Sequence, residues 1–497
     1  MKIYYHIQSI YFILVEKYKK IKYNNDIILL MFLFIKKGDY IVSQNKSELI
    51  QKGDMYKVLL TLSIPIMINS IIQTLYNLVD GIWVSKISSV HFAATSFVWP
   101  INFLFVALGI GLSVAGTSLL SQLLGAGKYK KSKEYTTQLM VSSFLISIVF
   151  MIVGVITSPY IIKLMGGEGD FANLANTYLR ISFLDLPFMF LYFNINSMMN
   201  AQGNTVTPTI LSAISALINV ILDPLFIFTL NMGIAGAAWA TVLSRIVLAL
   251  FGVRFIFKED NDLKPDFRGF KFDKSVLKEI VRVGLPASIG QTGASIGFMF
   301  LNGFIVSYGT ATMAAFGMVN RVTNLVMQPA MGVGAALTAV VGQNLGANQL
   351  DRATESFIKA SKIALYIGII GGVLLFIFNK PIVDFFIQSK DEPEVIIQSI
   401  TYMKYVAFSM PLMGMFSVFQ GIFQGSGNTK YSMNMEVGRL WAVRLPMILI
   451  FKNFYNFGPS GIWFSMSFSN LIVCLYGLWV YKTHGWNRKT FNSLDNC

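Results

Sequence analysis

A polar pair inside an apolar stretch is the part of this sequence best suited to bind an ion. Asn219 and Asp223 lie four residues apart within the apolar residues 210–230, so on a helix both side chains project from one face. A carboxylate at the middle of a membrane helix costs about 2.5–3.5 kcal/mol and is by default functional. Pro224 follows at once and frees a backbone carbonyl one turn earlier. The motif predicts a seat for a small cation; the alternative is a buried Asp223 that neighbouring helices satisfy.

The composition is that of a polytopic membrane protein. Hydrophobic residues make up 54% of the 497 residues and charged residues 13%, against about 25% charged residues in soluble domains. The formal net charge is +15. In a membrane protein such an excess is typical of positively charged cytoplasmic loops that contact anionic lipid, and it does not indicate nucleic-acid binding. We therefore expect an all-α, multi-pass protein of the cell membrane.

The sequence contains little that supports enzymatic chemistry. Its three histidines, His6, His91 and His484, lie far apart and lack the spacing of metal ligands. Its two cysteines, Cys474 and Cys497, form no CxxC motif. There is also no Walker A loop, GxSxG, HExxH or Rossmann motif in the sequence. The chain is therefore expected not to be an enzyme and to need no cofactor.

Twelve apolar stretches after residue 55 are long enough to cross a bilayer, which takes about 20 helical residues. Their approximate bounds are 58–84, 92–121, 137–161, 176–200, 207–230, 234–257, 279–303, 313–342, 358–379, 400–424, 434–452 and 460–481. An earlier apolar run at 27–35 is too short to span. We expect residues 1–54 to form a loose cytoplasmic or interfacial extension, or to be translated upstream sequence with Met55 as an alternative start.

Positive charges cluster in loops that would lie on one side of the membrane. Lysines follow the second span, and a basic linker at 258–278 joins the sixth span to the seventh. The opposite loops carry few cations, or cations offset by acids as at 390–394. By the positive-inside rule, both termini, including the tail at 482–497, are expected in the cytoplasm.

The two halves of the chain repeat. The linker separates an N-lobe at 55–257 from a C-lobe at 279–481, and landmarks recur between them at offsets of 221 to 224 residues. The matched pairs include Pro65 and Pro286, Asp80 and Asn302, Gln122 and Gln343, Tyr178 and Tyr402, Pro187 and Pro411, and Gly203 and Gly427. Because each repeat has an even number of spans, the halves share one orientation, as in parallel-repeat transporters. The pattern predicts twelve transmembrane helices in two six-helix lobes around a central cavity, with alternating access by rocking of the lobes.

Together these features resemble the MATE family of multidrug and toxic compound extrusion antiporters. The resemblance covers residues 55–497 and rests on the twelve spans, the LYNLVDG segment at 75–81, the paired Gln…Gly-Ala loops, the paired Gly-Asn-Thr turns and Asn219…Asp223-Pro224. Within the family the chain is similar to the DinF-type branch, which keeps its ion-coupling residues in the N-lobe. The NorM-type branch uses a glutamate in the seventh span, where this sequence has Arg282 and no acid beyond it.

The resemblance implies a monomeric antiporter that exports lipophilic, often cationic, drugs in exchange for Na⁺, H⁺ or both. Transferred to this sequence, the family's cation site comprises Asp80, Asn219, Asp223, Thr241 and the backbone carbonyl of Ala237. Nearby polar residues of the implied substrate cavity are Gln73, Tyr76, Tyr178 and Asn196. Span lengths and topology also place Asp223 and Thr241 about 10 Å below the outer ends of their helices.

The implied ligands are hard oxygen donors, which suit Na⁺ or a proton and not a soft metal. Two neighbouring carboxylates such as Asp80 and Asp223 can hold a shared proton near neutral pH, or a sodium ion in its place. Cation binding would favour one arrangement of the lobes and drug binding the other, so that an inward ion gradient drives export. The alternative is a flippase for lipid-linked oligosaccharides, since relatives of this architecture move such cargo. Those tend to have additional spans and a basic cavity, whereas this N-lobe is acidic.

Other charged residues within the spans need separate explanations. Asp185, two residues before Pro187, either lines the substrate cavity or braces the kink at that proline. We expect the intramembrane cations to snorkel or to form ion pairs, as Glu436 and Arg439 can at a spacing of three residues. These cations are Arg245, Arg321, Lys404, Arg439 and Arg444. The methionines are expected to pack, although a cavity rich in Met and Phe would suit varied flat, lipophilic substrates.

Overall fold

The structure of the chain, a computed structural model, describes residues 46–257, 261–387, 393–455 and 457–487. In chain order its helices are α1 (Lys46–Lys52), α2 (Met55–Ser85), α3 (Ser89–Gly125), α4 (Tyr129–Leu164), α5 (Gly169–Leu184), α6 (Leu186–Ala201), α7 (Val206–Pro224), α8 (Ile234–Ile256), α9 (Lys274–Val306), α10 (Thr310–Gly346), α11 (Leu350–Ile377), α12 (Asn379–Phe386), α13 (Pro393–Gly425), α14 (Thr429–Val437), α15 (Leu445–Ile450) and α16 (Pro459–Lys482). π-Helical segments follow α7 at Leu225–Thr229 and flank α15 at Gly438–Arg444 and Phe451–Tyr455. The predicted extension up to residue 45, the start of the linker at 258–260 and the tail from residue 488 lie outside the described residues.

The twelve predicted spans are confirmed, although two of them are not continuous helices. Within the described residues, ten helices are long and apolar enough to cross a membrane, counting α7 with its π-helical continuation. The fourth predicted span consists of α5 and α6 together, and the eleventh of α14, α15 and their π-helical neighbours. Several spans extend past their predicted ends, because polar residues continue the helix beyond the apolar stretch; α4 begins at Tyr129 rather than at 137.

A proline explains why the fourth span is broken. Pro187 is the second residue of α6 and has no amide to donate, so the helical hydrogen-bond ladder restarts at Asp185. The Asp185 amide donates to the Ser182 carbonyl over 3.2 Å, and the Met189 amide donates to the Asp185 carbonyl over 2.9 Å. In the matching span of the C-lobe, Pro411 lies inside the continuous helix α13. The two lobes therefore share a plan but differ in where a span is interrupted.

The same helix contacts occur in both halves of the chain. In the N-lobe α2 packs on α7, α3 and α4 pack on α6, and α8 packs on α6 and α7. In the C-lobe α9 packs on α14, α10 and α11 pack on α13, and α16 packs on α13 and the segment Gly438–Arg444. The first helices also start alike, since Asp54 caps α2 through the Lys57 amide at 3.0 Å and Asp273 caps α9 through the Ser275 amide at 2.7 Å. This correspondence agrees with two six-helix lobes.

The lobes meet in a reciprocal contact of Gln122 and Gln343, which we call the interlobe junction. Gln122, near the end of α3, donates its side-chain amide to the Gly425 carbonyl of the C-lobe over 3.0 Å. Gln343, near the end of α10, donates its side-chain amide to the Ala201 carbonyl of the N-lobe over 2.6 Å. Because the two glutamines are matched residues of the repeat, each lobe holds the other by an equivalent hydrogen bond.

Two glycines allow the backbones to touch at the interlobe junction. A Cβ atom on Gly125 would lie 2.0 Å from the carbonyl oxygen of Gln343. A Cβ atom on Gly346 would lie 2.0 Å from the carbonyl oxygen of Gln122. No side chain can occupy such a position without moving the backbone. The glycines that the repeat pattern matched are therefore required by close packing between the lobes.

The last part of the N-terminal extension is packed against the C-lobe. Ile50 of α1 is completely buried, and the Ser47 hydroxyl donates to the side-chain oxygen of Gln343 over 3.0 Å. Arg352 of α11 donates to the backbone carbonyls of Ile50 and Gly53. These contacts correct the expectation of a loose extension for residues 46–54.

The described part of the linker is also anchored. Leu263 is completely buried, and the Asp266 amide donates to the Thr137 hydroxyl of α4 over 3.0 Å. Gln138 of α4 donates to the Lys271 carbonyl over 2.6 Å. The helix α9 begins at Lys274, inside the predicted linker range. The linker therefore runs along the N-lobe before the C-lobe starts.

Gly346→Ala is expected to destabilise the protein, because the new Cβ would clash with the Gln122 carbonyl of the other lobe. Overpacking of this kind costs about 1–3 kcal/mol, which outweighs the gain of up to about 1 kcal/mol that alanine brings to a helix. The measurement is the melting temperature of the purified protein in detergent. Gly317→Ala in the same helix is the control, because no described atom lies within 4 Å of its Cβ position. Equal melting temperatures for the two variants would contradict the role given to the interlobe junction.

Candidate functional site

The polar pair of the fifth span sits where that helix changes its winding. Asn219 and Asp223 lie one turn apart in α7, and both are completely buried. After Pro224 the chain becomes π-helical at Leu225–Thr229, with hydrogen bonds that reach five residues back. Because Pro224 cannot donate an amide, the regular ladder cannot continue past it. The irregular backbone that the sequence predicted next to the carboxylate is therefore present.

Three buried oxygens at this place have no hydrogen-bond partner among the described residues. They are Oδ1 of Asp80, Oδ1 of Asn219 and Oδ2 of Asp223. The Asn219 amide donates to the other Asp223 oxygen over 3.3 Å, so the free Asn219 oxygen can only accept. Asp80 lies close enough to Asp223 for their charges to interact. Buried acceptors without donors are costly, and a cation or a proton is the partner that would satisfy this set.

The sixth span completes the group. Thr241 of α8 shares a hydrogen bond of 3.2 Å with the Tyr76 hydroxyl of α2. Ala237, one turn earlier in α8, is completely buried and packs with Val84 of α2 and Ile227 of the π-helical segment. The structure therefore brings together the three helices that carry the implied cation ligands.

Tyr178 of α5 lies beside the same group. Its ring packs against the cluster that contains Ala237 and Ile227. Its hydroxyl is within electrostatic range of the carboxylates of Asp80 and Asp223. A neutral phenol next to two acidic groups is a hydrogen-bond donor for a carboxylate or an aromatic contact for a bound cation.

Asp185 is committed to an ion pair. Its Oδ2 lies 2.7 Å from Nη1 of Arg245 in α8, and only 6% of the residue is exposed. The pair joins the break in the fourth span to the sixth span, and each charge offsets the cost of burying the other. The expected pairing of Arg245 is thus confirmed, and the structure favours the bracing role of Asp185. With this pair neutral, Asp80 and Asp223 leave the group with two formal negative charges.

The remaining residues predicted for the substrate cavity lie farther from the cation group. Gln73 is half-buried and lies on the face of α2 that carries Tyr76 and Asp80, at spacings of three and four residues. Asn196 of α6 accepts a hydrogen bond from Asn200 of the same helix over 3.1 Å. Gln73 is therefore placed to extend the polar face of α2, whereas Asn196 is engaged within its own helix.

A second polar contact among α2, α6 and α7 was not predicted. Tyr192 of α6 shares a hydrogen bond of 2.7 Å with Ser212 of α7 and contacts Asn69 of α2. The sequence does contain a pattern that predicts this contact. Four polar residues at helical spacing form one face of α2: Asn69, Gln73, Tyr76 and Asp80. The predicted polar face ends at Gln73, so it omits Asn69.

A cavity of about 730 Å³ lies in the C-lobe, where it meets α3 of the N-lobe. None of the five residues predicted for the substrate cavity lines it. Its walls are rich in methionine and phenylalanine, as expected for varied lipophilic substrates; they include Met327, Met331, Met413, Met466, Phe298, Phe316 and Phe416. A cavity of the predicted type therefore lies in the C-lobe.

The intramembrane cations of the C-lobe only partly follow the prediction. Arg439 forms the predicted ion pair with Glu436, with Nη2 3.2 Å from Oε2. Arg321 and Lys404 are exposed on the surfaces of α10 and α13. The expectation for Arg444 is wrong, because it is only 3% exposed and its nearest partners are uncharged. It therefore neither snorkels to the membrane surface nor binds a carboxylate directly.

The N-lobe group has the chemistry of a site for a monovalent cation. Asp80 and Asp223 supply two carboxylates, Asn219 an amide oxygen and Thr241 a hydroxyl, all of which are hard ligands. Within the described residues there is no cluster of three His, Cys, Asp or Glu side chains that would hold a transition metal. The group therefore fits Na⁺ or a proton.

Comparison with known proteins agrees with this architecture. The family model MatE matches residues 65–225 and 286–450, one match in each lobe. The chain is 27% identical over 468 residues to the probable multidrug resistance protein YoeA of Bacillus subtilis, covering 91% of this chain and 98% of that protein. It is 24% identical over 434 residues to the multidrug export protein MepA of Staphylococcus haemolyticus, covering 86% of this chain and 94% of that protein. The crystal structure of MATE in complex with MaL6 matches with a TM-score of 0.84 at 27% identity, covering 89% of this chain and 98% of that chain. Since the family model matches both lobes and more than half of the sequence, the chain belongs to the MATE family.

Proposed function

We propose that this protein is a cation-coupled antiporter that exports lipophilic, often cationic, drugs through the cell membrane. The observation that carries the proposal is the set of three buried oxygens on Asp80, Asn219 and Asp223 that lack partners among the described residues. Such a set is satisfied by Na⁺ or a proton. Drugs as cargo are supported by the multidrug resistance and export functions in the relatives' names. Those names lend no support to the alternative of a lipid-linked oligosaccharide flippase.

Coupling requires that the ion and the drug favour different arrangements of the lobes. The oxygen ligands come from α2, α7 and α8, so a cation between Asp80 and Asp223 draws these three helices together. Without the ion the two carboxylates repel each other at short range. The same charges then attract a lipophilic cation. Ion and drug thus compete for Asp80 and Asp223, and an inward ion gradient drives the drug outward.

The proposed orientation places the interlobe junction on the cytoplasmic side, by the positive-inside rule. The hydrogen bonds of Gln122 and Gln343 hold the lobes together at that side. Alternating access then requires these bonds to break when the protein opens to the cytoplasm. Both termini lie in the cytoplasm in this orientation. The acidic N-lobe group, with no acid after Arg282 in the seventh span, supports the DinF-type branch.

Asp80→Asn and Asp223→Asn are each expected to reduce ion-driven efflux to the level of empty vesicles while the protein still inserts. An amide keeps the size of the side chain but cannot exchange a bound ion for a cationic drug. The measurement is ethidium efflux from proteoliposomes under separately imposed sodium and proton gradients, which also identifies the coupling ion. Asp170→Asn, an exposed carboxylate of the same lobe, is the control and should transport normally. Full efflux by both test variants would refute the assignment of the site.

Sodium is expected to raise the melting temperature of the wild-type protein by binding the folded state. At a concentration of 100 times Kd the gain is about 2.7 kcal/mol of unfolding free energy. The measurement compares sodium chloride with choline chloride at equal ionic strength, so that general salt effects cancel. Asp223→Asn should lose the shift and Asp170→Asn should keep it. A wild-type protein that melts equally in both salts would exclude Na⁺ from this group.

Ser121→Cys is expected to become reactive during transport. Ser121 is completely buried at the interlobe junction, with its Cβ 2.7 Å from the Cβ position of Gly342. In a chain without Cys474 and Cys497, a membrane-impermeant maleimide on the cytoplasmic side should label Cys at this position several-fold faster when drug and ion gradient drive turnover. The same variant combined with Asp223→Asn should stay protected. Labelling that does not change with turnover would contradict opening at the junction.

A further inference from the structure

The C-lobe cavity carries more positive than negative charge. Arg439, Arg444 and Glu436 line it, so when all three are ionised they leave one formal positive charge. A buried charge without a full counter-charge is costly, and inside a membrane span it usually marks a functional site. Neither arginine is one of the proposed ligands of the N-lobe cation site.

Arg444 is fixed by neutral partners. Its guanidinium donates to the Ser469 hydroxyl over 3.0 Å, to the Met466 carbonyl over 3.3 Å and to the Asn470 side-chain oxygen over 3.4 Å. The ring of Phe298 lies 5.9 Å from the guanidinium carbon. These contacts orient the side chain without neutralising it. Arg444 is therefore a preorganised cation at the wall of the cavity.

Arg439 has binding capacity beyond its ion pair. Glu436 forms an ion pair with only one terminal nitrogen of Arg439, Nη2. Glu436 also accepts a hydrogen bond from the side-chain amide of Gln420 over 3.3 Å. The Nε of Arg439 is buried and has no hydrogen-bond partner among the described residues. The ring of Phe416 lies 4.3 Å from the guanidinium carbon. A free N–H next to an aromatic wall matches an aromatic molecule that carries an acceptor group.

The basic group of the C-lobe lies on spans that correspond to those of the acidic group in the N-lobe. Asn302 of α9 lines the cavity and matches Asp80 of α2 at an offset of 222 residues. Arg444 lies in the eleventh span shortly before a proline, as Asp223 does in the fifth span. The two lobes therefore carry polar groups of opposite charge on corresponding spans.

From these observations we infer that the C-lobe cavity binds the carboxylate of a flat aromatic substrate, with Arg444 and Arg439 as its ligands. The volume of about 730 Å³ lies in the range of pockets for drug-sized molecules. Its Met and Phe walls contact the rings, and the two guanidinium groups accept the anionic end. The inference rests on the proposed export function for its physiological meaning. It assigns the anionic end of a zwitterionic or anionic substrate to this cavity.

The test uses two dyes that differ only at the carboxylate. Rhodamine 110 has a free carboxylate, and rhodamine 123 is its methyl ester. Binding of each dye to the purified full chain is measured by fluorescence anisotropy in phosphatidylcholine nanodiscs, which contain no competing anionic lipid. Arg444→Gln and Arg439→Gln should each weaken rhodamine 110 binding about tenfold, because a charge-assisted hydrogen bond is lost. Binding of rhodamine 123 should change by less than about twofold.

Control variants separate binding from folding. Arg321→Gln removes an exposed cation of α10 outside the cavity and should leave both dyes unaffected. Arg444→Lys keeps a charge and should restore part of the rhodamine 110 affinity if the charge matters. Unchanged rhodamine 110 binding in both glutamine variants, or equal losses for both dyes, would overturn the inference.

The same dyes distinguish a failure of this inference from a failure of the proposed function. Asp170→Asn should keep its affinity for rhodamine 110, since this exposed residue does not line the C-lobe cavity. If wild-type protein binds rhodamine 110 but exports neither dye under any ion gradient, the antiporter proposal fails and the cavity assignment stands. If it exports rhodamine 123 but does not bind rhodamine 110, the cavity assignment alone fails.

Discussion

Direct contact between the backbones of the two lobes determines how the rest of this structure is arranged. Gly125 and Gly346 lack a Cβ, so each lies against the carbonyl of the glutamine in the other lobe. The side chains of Gln122 and Gln343 then reach across to carbonyls that end α13 and α6. All four residues are matched members of the repeat, so one pattern serves both lobes. The contact fixes α3 and α10 at the ends where they meet, and the proposed alternating access would require it to break.

The second constraint is the free-energy cost of burying charged side chains in the membrane. Asp185 and Asp223 differ in how far their partners offset this cost. A carboxylate at mid-membrane costs about 2.5–3.5 kcal/mol, whereas a typical hydrogen bond returns about 0.5–1.5 kcal/mol. Asp185 meets the cost with the guanidinium of Arg245 at 2.7 Å. Asp223 has one amide contact at 3.3 Å, which is too little. Asp185 therefore has a counter-charge that offsets its burial, whereas Asp223 and its neighbour Asp80 have no ion-pair partner among the described residues.

The sequence predicted the features that depend on local pattern. The length of the apolar stretches predicted the spans. The constant offset predicted the two lobes and matched Gln122 with Gln343, although not their hydrogen bonds across the lobes. The local pattern could not predict features that depend on contacts between distant residues. Pro187 and Pro411 are matched in the repeat, yet the span is broken at Pro187 and continuous at Pro411. Arg444 was misjudged because its partners in α16 lie over twenty residues away and are neutral. The branch assignment and the roles of the cation ligands stay predictions.

The polar groups of the two lobes carry opposite formal charges that partly cancel. When all these groups are ionised, Asp80 and Asp223 give the N-lobe group two formal negative charges. The C-lobe group then has one positive charge, since Glu436 balances one of Arg439 and Arg444. Together these groups are one positive charge short of neutrality. One bound Na⁺ or proton supplies that charge. A low-dielectric membrane interior favours the neutral state, so this charge balance supports the proposal that the N-lobe group takes up a monovalent cation.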